Sequence, residues 1–194
     1  LVKKMVEIAP RGMNKVFLLT TGAEATENAI KLAKTWGMKT GGTNKNVIVT
    51  FSGSFHGRTL GSQLAGGIPA LKEWIGKLDP TFVNVPFPDG YRFEDTSFDV
   101  FESSLKKQGV GKDRVCGVMM ESYQGGIAGF YPTEYVKKLR KWCDEAGALL
   151  IDDEVQAGFG RSGKLFSIEH YGFVPDIICC GKGMSGGLPI SAVI

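Results

Sequence analysis

Seven short runs of apolar and β-branched residues punctuate the chain, at 16–20, 46–51, 82–86, 115–120, 148–152, 176–180 and 190–194. Near-continuous hydrophobicity over five or six residues predicts strands covered on both faces. Helical periodicity falls between many of them. Ala25, Ala29, Leu32, Ala33 and Trp36 share one helical face, and Leu71, Trp74, Ile75 and Leu78 share another. Phe98, Phe101 and Leu105 make a weaker stripe, and Val136, Leu139, Cys143 and Ala146 a clear one, with Thr133 placed to cap that helix and Gly147 to end it. Strands alternating with helices predict a three-layer α/β/α domain around a mostly parallel seven-stranded sheet. The loop before the last run is too short for a helical crossover, so the last strand is expected to run antiparallel.

Composition narrows the classes. The 194 residues, 43% hydrophobic and 22% charged, suffice for one core and form one domain over 1–194. Twenty-three basic against 20 acidic side chains give a net charge of +3 without long basic runs, which argues against a nucleic-acid partner. No apolar run approaches the roughly 20 residues that span a bilayer, and no leader peptide is expected. Leu1 in place of an initiator Met, and an end at Ile194 inside an apolar run, are expected of a segment of a longer protein. The four cysteines (Cys116, Cys143, Cys179 and Cys180) sit in apolar runs without metal-ligand spacing and read as buried thiols of a reducing, cytoplasmic compartment. No metal is expected. Glycine, 27 of 194, is about twice its usual ~7% share and clusters at strand ends, where backbone approaches a ligand closely.

In parallel α/β sheets ligands sit beyond the carboxyl ends of the strands, and four constellations follow the runs directly. Thr20-Thr21-Gly22-Ala23-Glu24-Ala25 opens a helix with small residues, the chemistry of a phosphate cradle. Ser52-Gly53-Ser54-Phe55-His56-Gly57-Arg58-Thr59 offers a ring to stack, an imidazole and a guanidinium for a carboxylate. Asp152-Asp153-Glu154-Val155-Gln156 places three acids at a strand end, with Asp153 facing opposite to Asp152 and Glu154. A buried acid there can hold a ring nitrogen protonated. Gly181-Lys182-Gly183 sets one lysine at the tip of a buried strand, where burial would turn its amine into a nucleophile.

Each of these alone also fits a plain turn or polar loop. Together they supply a phosphate site, a stacking ring, an acid for a ring nitrogen and an imine-forming lysine, the parts of a pyridoxal 5′-phosphate site. Gly158-Phe159-Gly160-Arg161-Ser162-Gly163 matches a dinucleotide fingerprint. It starts several residues after the strand, behind three acids, and Leu165 stands where a P-loop needs a hydroxyl, so nucleotide binding is not the reading taken.

The motifs resemble those of the class III aminotransferases (ornithine, acetylornithine and 4-aminobutyrate type) of the pyridoxal-phosphate fold type I superfamily. The resemblance rests on Thr21–Ala25, Phe55–Thr59, Asp153–Gln156, Gly158–Lys164 and Gly181-Lys182-Gly183 with Gly186-Gly187-Leu188-Pro189, and runs through essentially the whole chain. It implies the fold type I large domain, with an N-terminal segment and a C-terminal small domain outside these residues, and a homodimer with shared active sites. It implies transamination from an amine or amino acid to a 2-oxo acid, through a Schiff base on Lys182 that also shuttles the proton. Gly22 and Ala23 resemble the phosphate-binding pair, and Phe55 the stacking aromatic beside His56. Asp153 and Gln156 resemble the partners of the pyridine nitrogen and phenolic oxygen, and Arg58 the receiver of a substrate carboxylate. Glu121 resembles the acid ending strand four near the cofactor.

The sequence departs from the family pattern at three places. Ala23 replaces a frequent Thr or Ser, Ser122-Tyr123 replaces a Pro-apolar pair, and Gly126 replaces the Glu that gates a second Arg. The amino donor therefore stays open. A decarboxylase or aminomutase of the same superfamily, and a non-catalytic phosphate-binding module, are the alternative readings.

Overall fold

The computed structural model describes residues 1–194, and all seven runs form strands of one sheet. In chain order these are β1 (Phe17–Leu19), β2 (Val47–Phe51), β3 (Phe82–Val85), β4 (Val115–Met120), β7 (Leu149–Asp153), β8 (Ile177–Cys180) and β9 (Ser191–Val193). The spatial order is β1-β9-β8-β7-β4-β2-β3. β9 runs antiparallel to both β8 and β1, and every other pairing is parallel. A two-stranded ribbon, β5 (Tyr123–Gln124) and β6 (Gly129–Phe130), follows β4.

Burial follows from position in the sheet. Every residue of β2, β4 and β8 is buried, whereas the edge strand β1 leaves Phe17 and Leu18 exposed. Two cores sit on the two faces. Helices α2 (Gly22–Gly41) and α3 (Leu60–Ala65) cover one, with Ala29, Ala33, Ile48, Met119 and Ile151 at its centre. Helices α4 (Asp99–Lys107) and α5 (Thr133–Ala146) cover the other, where Phe51 stacks on Phe101 and meets Tyr131 and Tyr135 edge to face. Helix α1 (Val2–Ile8) inserts Met5 into that larger core.

Three expectations are corrected. The buried stripe of α2 is Ala25, Thr26, Ala29, Ile30, Ala33 and Gly37, while Leu32 and Trp36 are exposed. The stripe is made of small residues because the helix lies close to the sheet: a Cβ at Gly37 would sit 2.1 Å from the Lys45 carbonyl oxygen. The segment holding Leu71, Trp74, Ile75 and Leu78 forms two three-residue 3₁₀ turns rather than a helix, with Trp74 and Leu78 exposed. Pro69 opens the first turn and Gly76 ends the second, which leaves too few residues for a helix to propagate. Thr133 is the first helical residue of α5 and makes no capping bond; Pro132 precedes it. Gly147 does end α5, in the left-handed conformation that favours glycine (φ 59°).

Candidate active site

The carboxyl ends of β2, β4, β7 and β8 open onto a cavity of about 450 Å³ that gathers every expected site residue. Gly22, Ala23, Phe55, His56, Arg58, Glu121, Asp153, Gln156 and Lys182 all line it, joined by Thr21, Thr59 and Val155. These side chains lie far apart in sequence, and the parallel topology brings them to one edge.

The start of α2 forms one wall. Thr21 Oγ accepts from the Glu24 amide at 3.2 Å, and Glu24 Oε2 accepts from the Thr21 and Thr20 amides at 2.7 and 3.1 Å. This capping box satisfies neighbouring donors but leaves the Gly22 and Ala23 amides without an acceptor in the chain, at the positive end of a 20-residue helix. Gly22 is required by packing, since a Cβ would meet Val155 Cγ1 at 2.6 Å. The neighbouring loop closes onto the same turn: at Gly57 (φ 132°) a Cβ would meet that of Ala23 at 2.6 Å. Thr26 Oγ donates to the His56 carbonyl at 2.6 Å, and Glu27 accepts from Thr59 Oγ and from the Gly61 and Ser62 amides. The Thr21-x-x-Glu24 spacing is a capping-box signature legible in the sequence, whereas the reach of Glu27 across to α3 leaves no local signal.

The cavity floor carries a buried ion-pair geometry. His56 Nδ1 lies 2.7 Å from Asp153 Oδ2, and Asp153 Oδ1 accepts from the Val155 amide at 3.1 Å. Both side chains are almost wholly buried. A carboxylate only accepts, so Nδ1 carries the hydrogen, and Nε2 is left as a buried acceptor without a partner. Glu121 closes the next corner: Oε1 accepts from the Phe55 amide at 2.8 Å and Oε2 from the Gly125 amide at 3.2 Å. Burial pushes the Glu121 carboxyl up to about 7; His56 opposes that rise and Asp153 adds to it. Its proton therefore bears on the bonds joining the Phe55 loop to the ribbon.

Asp152 and Glu154 face away from the cavity, as strand alternation predicts. Asp152 Oδ1 accepts from the Ser122 amide at 3.0 Å and from its hydroxyl, and Glu154 Oε1 accepts from the Ile168 amide at 2.8 Å. Burial raises the pKa of both acids, and the nearby Glu154 raises that of Asp152 further.

Lys182 differs from expectation. It is exposed rather than buried, and it stands at the cavity mouth on a strained backbone (φ 40°) immediately after β8. Gly181, between β8 and Lys182, packs closely on the opposite wall: a Cβ there would lie 3.2 Å from Val155 Cγ1 and 3.5 Å from Gly22 Cα. Phe55 presents a partly exposed ring, 39% accessible, and Arg58 is exposed.

These residues fit pyridoxal phosphate on this structure's own terms. The free Gly22 and Ala23 amides suit a phosphate, the half-open Phe55 ring suits a planar heterocycle, and Asp153 suits a protonated ring nitrogen. Lys182 supplies a primary amine at the mouth.

The fold is that of the fold type I transaminases among the solved structures. The chain matches the class-III aminotransferase family over residues 1–194 and belongs to it. It is 43% identical over 182 residues to an acetylornithine aminotransferase of Caldanaerobacter subterraneus subsp. tengcongensis, covering 93% of this chain and 42% of that protein. It is 39% identical over 191 residues to the acetylornithine aminotransferase of Methanopyrus kandleri, covering 98% and 44%. Among solved structures, an (S)-enantioselective omega-transaminase from Thermomicrobium roseum superimposes with a TM-score of 0.90 at 28% identity, covering 99% of this chain and 45% of that one. The omega-transaminase of Pseudomonas jessenii, solved in complex with PMP, gives 0.89 at 28% identity over 98% and 44%. The chain thus spans less than half the length of these relatives.

Proposed function

We propose that this chain is the large, cofactor-binding domain of a pyridoxal-phosphate-dependent aminotransferase that moves an amino group from an amine or amino acid to a 2-oxo acid. The observation that carries the reading is the convergence, in one cavity, of Lys182 with the His56–Asp153 pair, Gln156, Phe55 and the free amides of Gly22 and Ala23. Four separate loops supply these groups, and each fits a different part of one cofactor.

When bound, pyridoxal phosphate supplies an aldehyde and a ring that accepts electrons from a carbanion. The chain's own residues do the rest. Gly22 and Ala23 hold the phosphate by backbone donors, a contact that needs no hydroxyl at position 23. Phe55 covers one ring face. Asp153, oriented by His56 Nδ1 and the Val155 amide, keeps a proton on the ring nitrogen. Gln156 addresses the phenolic oxygen. Lys182 Nζ would hold the aldehyde and would move a proton on and off the reacting carbon. Arg58, in no ion pair of this chain, receives a substrate carboxylate.

The family resemblance supports assembly with a second copy as a homodimer. Four buried, unbonded cysteines support a reducing, cytoplasmic setting. No helix is long and apolar enough to cross a membrane.

The test is to incubate the protein with pyridoxal phosphate, reduce with borohydride and map the modified peptide by mass. Label on Lys182 that disappears in Lys182→Ala is the expected result. Label scattered over surface lysines would overturn the reading.

A further inference from the structure

Two loops meet beside the cavity, and each bears on a residue that faces the cofactor site. One is the loop at 52–57, between β2 and α3, which carries Phe55. The other is the turn at 125–128, between β5 and β6. They pack closely: a Cβ at Gly126 would lie 2.9 Å from the Gly53 carbonyl oxygen, and one at Gly53 (φ 78°) would lie 2.6 Å from Ile127 Cδ1. No backbone hydrogen bond joins them. The bonds at this junction come from side chains, from Gln124, whose Nε2 donates to the Ser52 carbonyl at 3.2 Å, and from Glu121.

Glu121 stands just past the end of β4, only 3% exposed, and both of its oxygens serve the junction. Oε1 accepts from the Phe55 amide and Oε2 from the Gly125 amide. Each amide leads to a group that lines the cavity. The Phe55 ring packs against no other aromatic ring, so its direction follows from its backbone. Gly125 lies directly against the Gln156 side chain, since a Cβ there would fall 2.4 Å from Nε2 and 2.5 Å from Cδ. The placement of the turn therefore sets where the Gln156 amide can sit.

We propose that Glu121 is a positioning residue: its buried carboxylate ties the Phe55 loop to the turn against Gln156, and so fixes the stacking ring and the Gln156 amide for the cofactor together. A carboxylate suits the junction because it only accepts, and both groups it meets are N–H donors. Bonds to a charged acceptor are also the stronger kind. A glutamine of the same size has one acceptor oxygen, and its NH2 group would face an N–H. Groups that bind a ligand hold their geometry only when a supporting shell locks them, and Glu121 supplies that lock from behind. The inference rests on the aminotransferase reading for what the ring and the amide hold, though not for the junction itself.

The experiment is a set of substitution cycles on the protein. Two quantities are measured for Glu121→Gln, Phe55→Leu, Gln156→Ala and their combinations: pyridoxal phosphate affinity, and the visible circular dichroism that the bound cofactor acquires from its surroundings. Glu121→Gln is expected to weaken affinity by about 10-fold and to lower the dichroism at saturation. That loss should shrink in the Phe55→Leu or Gln156→Ala background and nearly vanish when both are changed, because a residue acting through two others then has nothing to act on. Hydrogen exchange should quicken at the Phe55 amide, the Gly125 amide or both. Glu121→Asp, which keeps the charge but is a methylene too short to reach both amides, is the second variant should Glu121→Gln fail to fold. Unchanged affinity and dichroism would overturn the proposal. So would an equal loss in every background, which would make Glu121 a direct cofactor contact or a purely structural group. Borohydride labelling separates the two levels: without label on Lys182 in the unsubstituted protein the transamination reading fails, while exchange at the two amides still decides whether Glu121 holds the loops.

Discussion

Asp152 and Asp153 are adjacent on β7, both buried, and they do opposite things. Asp153 meets the imidazole of His56 at 2.7 Å and lines an open cavity beside a buried, unpartnered nitrogen. Asp152 is sealed behind the sheet among Ser122 and Glu154, and burial beside another acid pushes its pKa well above the carboxylate range. The first has an imidazole N–H as its donor and a ligand-sized space beside it. The second is neutralised by its surroundings and ties β4 to β7. One residue of register separates a chemical group from a structural one.

The largest test of the functional face is Lys182→Ala. It should lower turnover by about three to four orders of magnitude, read in steady-state assays, while the unfolding midpoint stays put because Lys182 is exposed. A comparable loss of stability would break the contrast by making the mouth structural.

Glu121 sharpens the comparison through pH. Folded, it holds its proton to about 7, against a usual value of 4.5. Between those values the folded state binds more protons than the unfolded one, so stability falls as pH rises through that window and levels off above it. The drop is about 3 kcal/mol in all, and urea unfolding from pH 4 to 8 should show it flattened in Glu121→Gln.

The same substitution at the two aspartates should then give different results. Asp153→Asn removes the charge facing the cavity and should weaken pyridoxal phosphate binding by about 10- to 100-fold in a fluorescence titration. Asp152→Asn keeps an acceptor for Ser122 and a donor toward Glu154. It should shift stability by less than about 1 kcal/mol and leave cofactor affinity unchanged. Equal loss of affinity in both variants would break the comparison.

The seven strands and the antiparallel last one were legible because buried runs and short loops are local facts. So were many of the residues that gather in the cavity, since glycine-flanked polar groups follow those runs directly. The stripe Leu71, Trp74, Ile75 and Leu78 shows the limit: its spacing is helical, but Pro69 and Gly76 cut the segment into turns. Leu32 and Trp36 lie on a helical face with Ala25 and Ala29, yet the stripe that meets the sheet continues through Thr26, Ile30 and Ala33 and leaves both exposed.

What the sequence by itself determined is the alternation of strands and helices and the chemical kinds of group at their ends, because each depends on neighbours a few residues away. Tertiary structure alone decided which of those groups meet. The His56–Asp153 pair spans 97 positions, the Glu121–Phe55 bond 66 and the Thr26–His56 bond 30. It also decided that Lys182 stands exposed on strained backbone rather than buried, since the chain has already left the covered strand β8 at Gly181.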